Sequence, residues 1–365
     1  MKLAFNCPVN SVSFGQVSLG LLREAYERGC GVSLLPIGEK LDLTSQSNKD
    51  KAFVGWLEGA VKHFQRDHVF SDHPTFRLWH INGSIGRVSD KQLLFTFYEL
   101  DSPTDVEVNI LKQQPLTLVS SRYTRDILLS KGIENVKYCP LAFDTNNFKA
   151  IDKEYFEDDR IVFNLCGKFE FRKRHEKILR AWTKKYGNNR KYFLQCALFN
   201  PFLDAQANNE LVARALEHKK YFNMSFFPHM KTNAEYNDFL NSSNIVIGMS
   251  GGEGWGLPEF QSVAMGKHAV MLNAHAYKDW ANEKNAVMVD PVGKIDAYDG
   301  IFFKEGQDFN QGQIYDWDED DFISACEEAI KRVNKNPLNE QGLSIPANFS
   351  YQSMFDTIWK EMETM

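Results

Sequence analysis

The chain has 365 residues, 43% of them hydrophobic and 25% charged, with a formal net charge of −6. These values describe a soluble globular protein of two domains, and they exclude a disordered chain and argue against nonspecific nucleic-acid binding. No apolar run reaches the roughly 18 residues of a membrane span, and the six cysteines (Cys7, Cys30, Cys139, Cys166, Cys196, Cys326) form no C-x-x-C pair, which removes a disulfide framework or a cysteine zinc site.

In chain order, KLAFN at the start reads as a strand rather than a secretion signal, because MKLAFNCPVNSVSFG lacks both a long apolar core and a small-residue cleavage site. A cytoplasmic location is therefore expected. A Gly/Ser loop follows, then SLGLLREAYERG, whose Leu19, Leu22, Ala25 and Tyr26 fall at helical spacing before a stop at Gly29. CGVSLLPIG, TFRLWHIN, LLFTFYEL and PLTLVSS are short bounded runs of strand type. A charged, non-periodic stretch, NNFKAIDKEYFEDDR, then separates two similar blocks and places the domain boundary at 152/153.

The second block repeats the alternation. RIVFNLCGKF is a strand ending in a glycine turn, followed by the helical RHEKILRAWTKKY; KYFLQCALF, YFNMSFFPH, SNIVIGMS and HAVMLNA supply further strands, and PEFQSVAMG a short helix. The last segment, NFSYQSMFDTIWKEM, is an amphipathic helix with Met354, Ile358 and Trp359 on one side. Strands alternating with helices throughout predict an α/β protein built on parallel sheets.

Two stretches carry chemistry. In SNIVIGMSGGEGWGLPEFQSVAMGKHAVML a strand runs into Gly251, Gly252, Gly254 and Gly256, with Pro258 where a helix begins. Free amides and the positive end of a helix dipole suit a pyrophosphate. Glu253 within that loop does not serve phosphate by charge and is expected to face sugar hydroxyls. The plain alternative is a tight strand-to-helix turn. In CGKFEFRKRHEKI, Lys168, Arg172, Lys173 and Arg174 follow a strand end, where cations face the ligand crevice of an open α/β sheet and neutralise a departing diphosphate. The alternative there is a solvated basic helix start.

Together these blocks resemble the retaining GT-B glycosyltransferases of the family 4 (glycosyl transferases group 1) type, with their G-R-x(4)-K and E-G-F-G-L-P-x-x-E motifs. The matching residues are Gly167-Lys168…Lys173 and Glu253 through Gln261; AMGKHAVML, FYELDSP, LVSSRYTRDILLSKGI and CPLAFDTNNF extend the likeness over nearly the whole chain. The resemblance implies two Rossmann-like domains facing a central cleft, residues 1–152 on the acceptor side and 153–348 binding a nucleotide-sugar, with a terminal helix of about 349–365 crossing back to the first domain. It implies that Lys168 and Lys173 hold the donor diphosphate, that Glu253 touches the donor sugar, and that the amides of Gly254, Trp255, Gly256 and Leu257 cradle both. No metal or other cofactor is implied, and no dedicated general base.

The chain departs from the family in three places. The second glutamate, which binds ribose, is Gln261; lysine stands at 168 in place of arginine, keeping the charge but losing the bidentate fork; and the histidine of the first domain is absent from TFYELD, where Glu99 is the substitute. Gly15 and Gln16 in NSVSFGQVS are expected to face the donor, or else to form a plain strand-to-helix turn. DWDED, a literal D-x-D, reads as helix-capping acid rather than a manganese site. His63, His68, His73 and His80 have no zinc spacing, and neither G-x-S-x-G nor an early G-x-G-x-x-G is present. The expected function is metal-independent, retaining glycosyl transfer to an unidentified acceptor: a glycan, lipid-linked compound, protein, small molecule or modified nucleic-acid base. The alternatives are a non-catalytic sugar-nucleotide-binding or partner-binding protein, and an epimerase or phosphorylase on the same fold.

Overall fold

A computed structural model of the protein describes residues 3–38, 40–46, 50–67, 73–152, 156 and 158–365. His68 lies outside the described residues, as do 153–155 and 157 at the expected domain boundary.

The first half builds a six-stranded parallel sheet from β1 (Leu3–Cys7), β2 (Val32–Pro36), β3 (Thr75–Leu78), β4 (Gln92–Thr96), β5 (Leu116–Val119) and β6 (Val136–Tyr138), in the order β2-β1-β3-β4-β5-β6. Helices α1 (Ser13–Glu27), α2 (Lys51–Asp67), α3 (Asp105–Gln113) and α4 (Arg122–Ser130) connect the strands. Every residue of β1, β4 and β5 is buried, as expected where helices cover both faces of a parallel sheet.

The second half builds another six-stranded parallel sheet from β7 (Ile161–Cys166), β8 (Tyr192–Ala197), β9 (Met224–Phe226), β10 (Ile245–Gly248), β11 (His268–Leu272) and β12 (Val287–Val289). Its order is β12-β11-β10-β7-β8-β9, with α5 (His175–Tyr186), α6 (Ala205–Ala215), α7 (Asn233–Asn241) and α8 (Leu257–Ala264) between strands. These are two Rossmann-like domains. In each, strand order reverses once, between β1 and β3 and between β7 and β10, and ligands of such sheets bind where it reverses, beyond the strand C-termini.

Beyond β12 lies an antiparallel hairpin, β13 (Gly293–Asp296) and β14 (Gln313–Asp316), which no sequence pattern announced. It reaches the first domain. Ala297, Phe303 and Ile314 join a core with Leu94, Tyr98, Leu100, Ile110 and Leu111. The Asn310 amide donates to Glu107 at 3.0 Å, Thr104 Oγ1 to the Asp308 carbonyl at 2.5 Å, and Lys294 Nζ to Asp101 at 2.7 Å. The DWDED run divides between two roles: Asp316 takes Arg174 and Lys177 at 2.9 and 2.8 Å, while Asp318 caps α9 (Glu319–Lys335) by accepting the amides of Asp320 and Asp321.

After the short α10 (Ile345–Asn348), α11 (Tyr351–Glu363) packs on α1 of the first domain. Met354, Phe355, Ile358 and Met362 are buried, and Arg28–Asp356 (2.5 Å) and Lys137–Glu361 (2.7 Å) border the contact. None of the described helices is long and apolar enough to cross a membrane. Since α11 is held mainly by its apolar face, Phe355→Ala should destabilise the protein by about 3–5 kcal/mol, read as a lower denaturant midpoint; an unchanged midpoint would mean that α11 contributes little to the first domain.

Candidate active site

The second domain's switch point brings together two loops that are 80 residues apart in the chain. The first leaves β7 at Gly167 (φ 118°), turns once through Phe171–Lys173 and enters α5 through Arg174, which is left-handed at φ 56°. The second leaves β10 at Gly248 and enters α8 through Gly256 (φ 85°), with Pro258 in the first helical turn. The Gly251 amide donates to the Arg172 carbonyl at 2.9 Å, and the Arg172 guanidinium donates to the Gly252 carbonyl.

Charged side chains converge here. Lys173 Nζ donates to Glu253 Oε1 at 2.5 Å, Arg172 lies 3.3 Å from the same oxygen and 2.5 Å from Glu170, and Lys168 meets Glu170 at 2.8 Å. Across the cleft, Glu99 of the first domain stands 3.6 Å from Arg172. Glu170, Arg172, Lys173 and Glu253 are all buried. Burial alone would raise the Glu253 carboxyl, but Lys173 and Arg172 outweigh it and hold Glu253 well below the usual carboxylate range. An ion so placed is strongly costly to strip of its partner.

The other predicted residues fall into distinct places. Glu253 is bound by two cations rather than facing open space. The Gly254 carbonyl accepts from Ser120 Oγ of the first domain at 2.6 Å. A Cβ at Gly252 would stand 2.6 Å from the Glu99 carbonyl oxygen, and one at Gly254 would stand 2.9 Å from Phe97 Cβ, so these glycines let the first domain close on the loop. The Trp255 indole turns into the core against Phe260 and Phe349, leaving only its backbone for a ligand. Leu257 opens α8, and Gln261 lies buried in that helix.

Gly15 and Gln16 are not in a loop: both lie in the first turns of α1, which begins at Ser13. Gly15 admits the close approach of Asn10, whose atoms would be 2.2–2.6 Å from an added Cβ. Gln16 exchanges amide hydrogen bonds with Asn233 of the second domain at 3.2 and 3.0 Å and donates to Ser45 at 3.1 Å, which makes it a bridge between domains.

The sequence alone left three contributors without their full role. Arg172 was visible as one basic residue in a cluster, but not as the hub of three carboxylates. His80 follows β3 at the first domain's switch point, its ring 4.4 Å from that of Phe14 and tilted 46° to it. Surrounding protein lowers its pKa; the field of Glu99 opposes this and that of Lys168 adds to it, so His80 belongs to the same electrostatic cluster. Its place after a strand in WHING was the available signal. Glu259, in the first turn of α8, is buried beneath Gly256, and burial pushes its carboxyl up to about 7 against the pull of Lys173.

No protein-family model matches the chain, and no curated protein does. Solved structures do. Sucrose-phosphate synthase (tll1590) from Thermosynechococcus elongatus superposes with a TM-score of 0.69 at 13% identity, covering 100% of this chain and 98% of that one. Anabaena Alr3699/HepE in complex with UDP-glucose gives 0.65 at 13%, covering 100% of both. The catalytic domain of starch synthase IV from Arabidopsis thaliana, bound to ADP and acarbose, gives 0.67 at 11%, covering 100% and 98%. These neighbours are GT-B glycosyltransferases, and the likeness over the full length shows that this chain has the GT-B fold.

Glu259 yields a pH prediction. A carboxyl raised on folding favours the folded state fully below its ordinary pKa near 4.5, and that contribution is lost as pH rises through about 7. The melting temperature of Glu259→Gln should therefore gain on wild type between pH 5 and pH 8; a constant difference across that range would show that Glu259 does not titrate there.

Proposed function

We propose that the protein transfers a sugar from a nucleotide diphosphate-sugar to an acceptor, with retention and without a metal. The observation that carries this reading is the convergence of Lys168, Arg172, Lys173 and the glycine-rich entry to α8 at the β7/β10 switch point, with Glu99 and His80 opposite. Cations and free amides at a helix N-terminus bind a diphosphate and stabilise it as it leaves. The GT-B fold is shared with proteins solved with UDP-glucose and ADP, which supports the same donor class here.

The donor enters by exchange. Lys173 gives up Glu253 and Lys168 gives up Glu170 for phosphate oxygens, and the freed Glu253 turns to the sugar hydroxyls. Ser120 and the Phe97–Glu99 backbone draw back to admit the donor and then close over it, excluding water. The C–O bond to the diphosphate breaks as the acceptor oxygen attacks from the same face, and the leaving phosphate takes the acceptor proton. Gln261 offers the ribose neutral hydrogen bonds in place of a charged one.

A non-catalytic nucleotide-sugar-binding protein is the second reading. It is favoured by the mutual satisfaction of Lys173 and Glu253 and by glutamine at 261.

A melting-temperature panel of UDP, GDP, ADP, TDP and CDP, with and without a divalent metal, tests the donor site. One nucleotide at 100 times its Kd should stabilise the protein by about 2.7 kcal/mol without metal, and the Lys168→Ala, Lys173→Ala double variant should lose the effect. Release of nucleoside diphosphate from the matching nucleotide-sugar separates enzyme from binding protein. If no nucleotide shifts the melting point, the donor assignment fails.

A further inference from the structure

Beside the loop that carries Lys168 and Lys173 lies a second cavity, of about 430 Å³. It opens between that loop, α5, α6, the loop after β8, and hairpin residues around Ile301. Its apolar walls are Phe169, Phe171, Leu203, Leu211, Ile301 and Phe302. Phe171 and Ile301 are 41% and 55% exposed, and Phe202, 69% exposed, stacks edge-on to Phe302 at 5.5 Å. Large apolar side chains gathered in water around one opening mark a binding surface.

The charged groups of the lining are mostly paired within the protein, although Arg174 and Lys177 share one carboxylate. Arg174 and Lys177 meet Asp316 at 2.9 and 2.8 Å, Arg180 meets Glu176 at 2.8 Å, and Glu170 is held by Arg172. Asp299 accepts the amides of Ile301, Phe302 and Phe303. An ionic ligand would have to displace one of these partners, whereas a neutral one leaves them in place, which favours a neutral occupant.

Among the described residues, three buried polar atoms of the lining have no hydrogen-bond partner, Glu170 Oε2, Arg174 Nε and His175 Nδ1, and of these Glu170 Oε2 still has Lys168 at 2.8 Å. His175 is 2% exposed, and its Nε2 lies 3.3 Å from the Cys166 carbonyl. A carbonyl only accepts, so Nε2 carries the proton and Nδ1 is a bare acceptor, for which the structure supplies no donor. Burial keeps the ring neutral by lowering its pKa to about 3. The Asn200 amide, by contrast, is committed to the Phe169 carbonyl and the Phe202 amide, at 3.0 and 3.1 Å.

Aromatic walls, mostly paired charges and unpaired buried atoms of both kinds, the Arg174 Nε donor and the His175 Nδ1 acceptor, fit a sugar ring, which lays C–H groups on aromatic faces and whose hydroxyls both donate and accept. An acyl chain would leave both the Arg174 Nε donor and the His175 Nδ1 acceptor unpaired. We propose that this cavity is a saccharide subsite that holds a neutral sugar unit of the acceptor, which makes the acceptor a glycan. The word acceptor rests on the glycosyl-transfer reading above; the saccharide site itself does not.

The test is saturation-transfer NMR on the full chain with methyl α-glucoside, methyl α-galactoside, methyl α-mannoside, N-acetylglucosamine, maltose and lactose, against uridine, adenosine and dodecyl maltoside as controls. At least one saccharide should bind, and its Kd should weaken about tenfold or more in a Phe171→Ser, Ile301→Ser double variant, whose changed residues are exposed, and in His175→Phe. The nucleotide-induced melting shift should persist in the double variant. If His175→Phe does not fold, the double variant decides alone. Failure of every saccharide to bind, binding indifferent to these substitutions, or occupancy by a nucleoside or the dodecyl chain instead would overturn the proposal. Saccharide binding without any nucleotide shift would leave the subsite standing and remove the donor reading.

Discussion

The site is organised by one buried guanidinium. Arg172 faces Glu170 and Glu253 from its own domain and Glu99 from the other, and its backbone carbonyl ties the two switch-point loops together. A charge removed from water is tolerated only where opposite charges and hydrogen bonds surround it. That demand dictates the path of both loops: residues 168–174 must turn inward, and the glycine run must come close enough to offer the Gly252 carbonyl and the Glu253 carboxylate. The positions of Lys173, of the α8 N-terminus and of the facing first-domain segment follow from that arrangement.

The same cluster explains why the site is closed. Lys173 and Glu253 satisfy each other at 2.5 Å, and the first domain lies directly on the glycines. In the proposed reaction this pairing keeps both groups charged and oriented in the absence of donor, and a diphosphate replaces one carboxylate with a stronger acceptor for the same cation. Beneath the loop, Glu259 occupies the positive end of α8 from the core side, with Tyr277 and Lys173 as neighbours. A phosphate arriving above it adds negative charge, so the two compete electrostatically for one helix terminus.

Several contacts hold the domains in this relation, among them the β13–β14 hairpin against α3, α11 against α1, Arg122 against Asp279 at 2.8 Å, and the Gln16–Asn233 amide pair. They differ in character. The hairpin and α11 bury apolar surface, whereas the amide pair is purely polar and exchanges with water at little cost. The hairpin also supplies Ile301 and Phe302 to the second cavity, so the element that spans the domains also shapes a pocket next to the donor loop.

Much of the fold was legible because local rules decide it. Short bounded apolar runs marked the strands of both sheets except the edge strands β6 and β12, Leu19, Leu22 and Ala25 marked α1, and the glycine run ending in Leu257-Pro258 marked the turn into α8. By itself the sequence determined an alternating α/β chain with a glycine loop and a basic cluster in its second half. It did not determine that Arg172 rather than a lysine is the hub, that the Trp255 indole is core, that Gln16 bridges domains from within a helix, or that His80 and Glu99 face Lys168 and Arg172. It also left no trace of the hairpin, whose strands span only Gly293–Asp296 and Gln313–Asp316 and draw their stability from the other domain. These are pairings between residues far apart in the chain. Burial and charge compensation choose among many such pairings only once the two sheets have packed, and for that reason only the tertiary structure decided them.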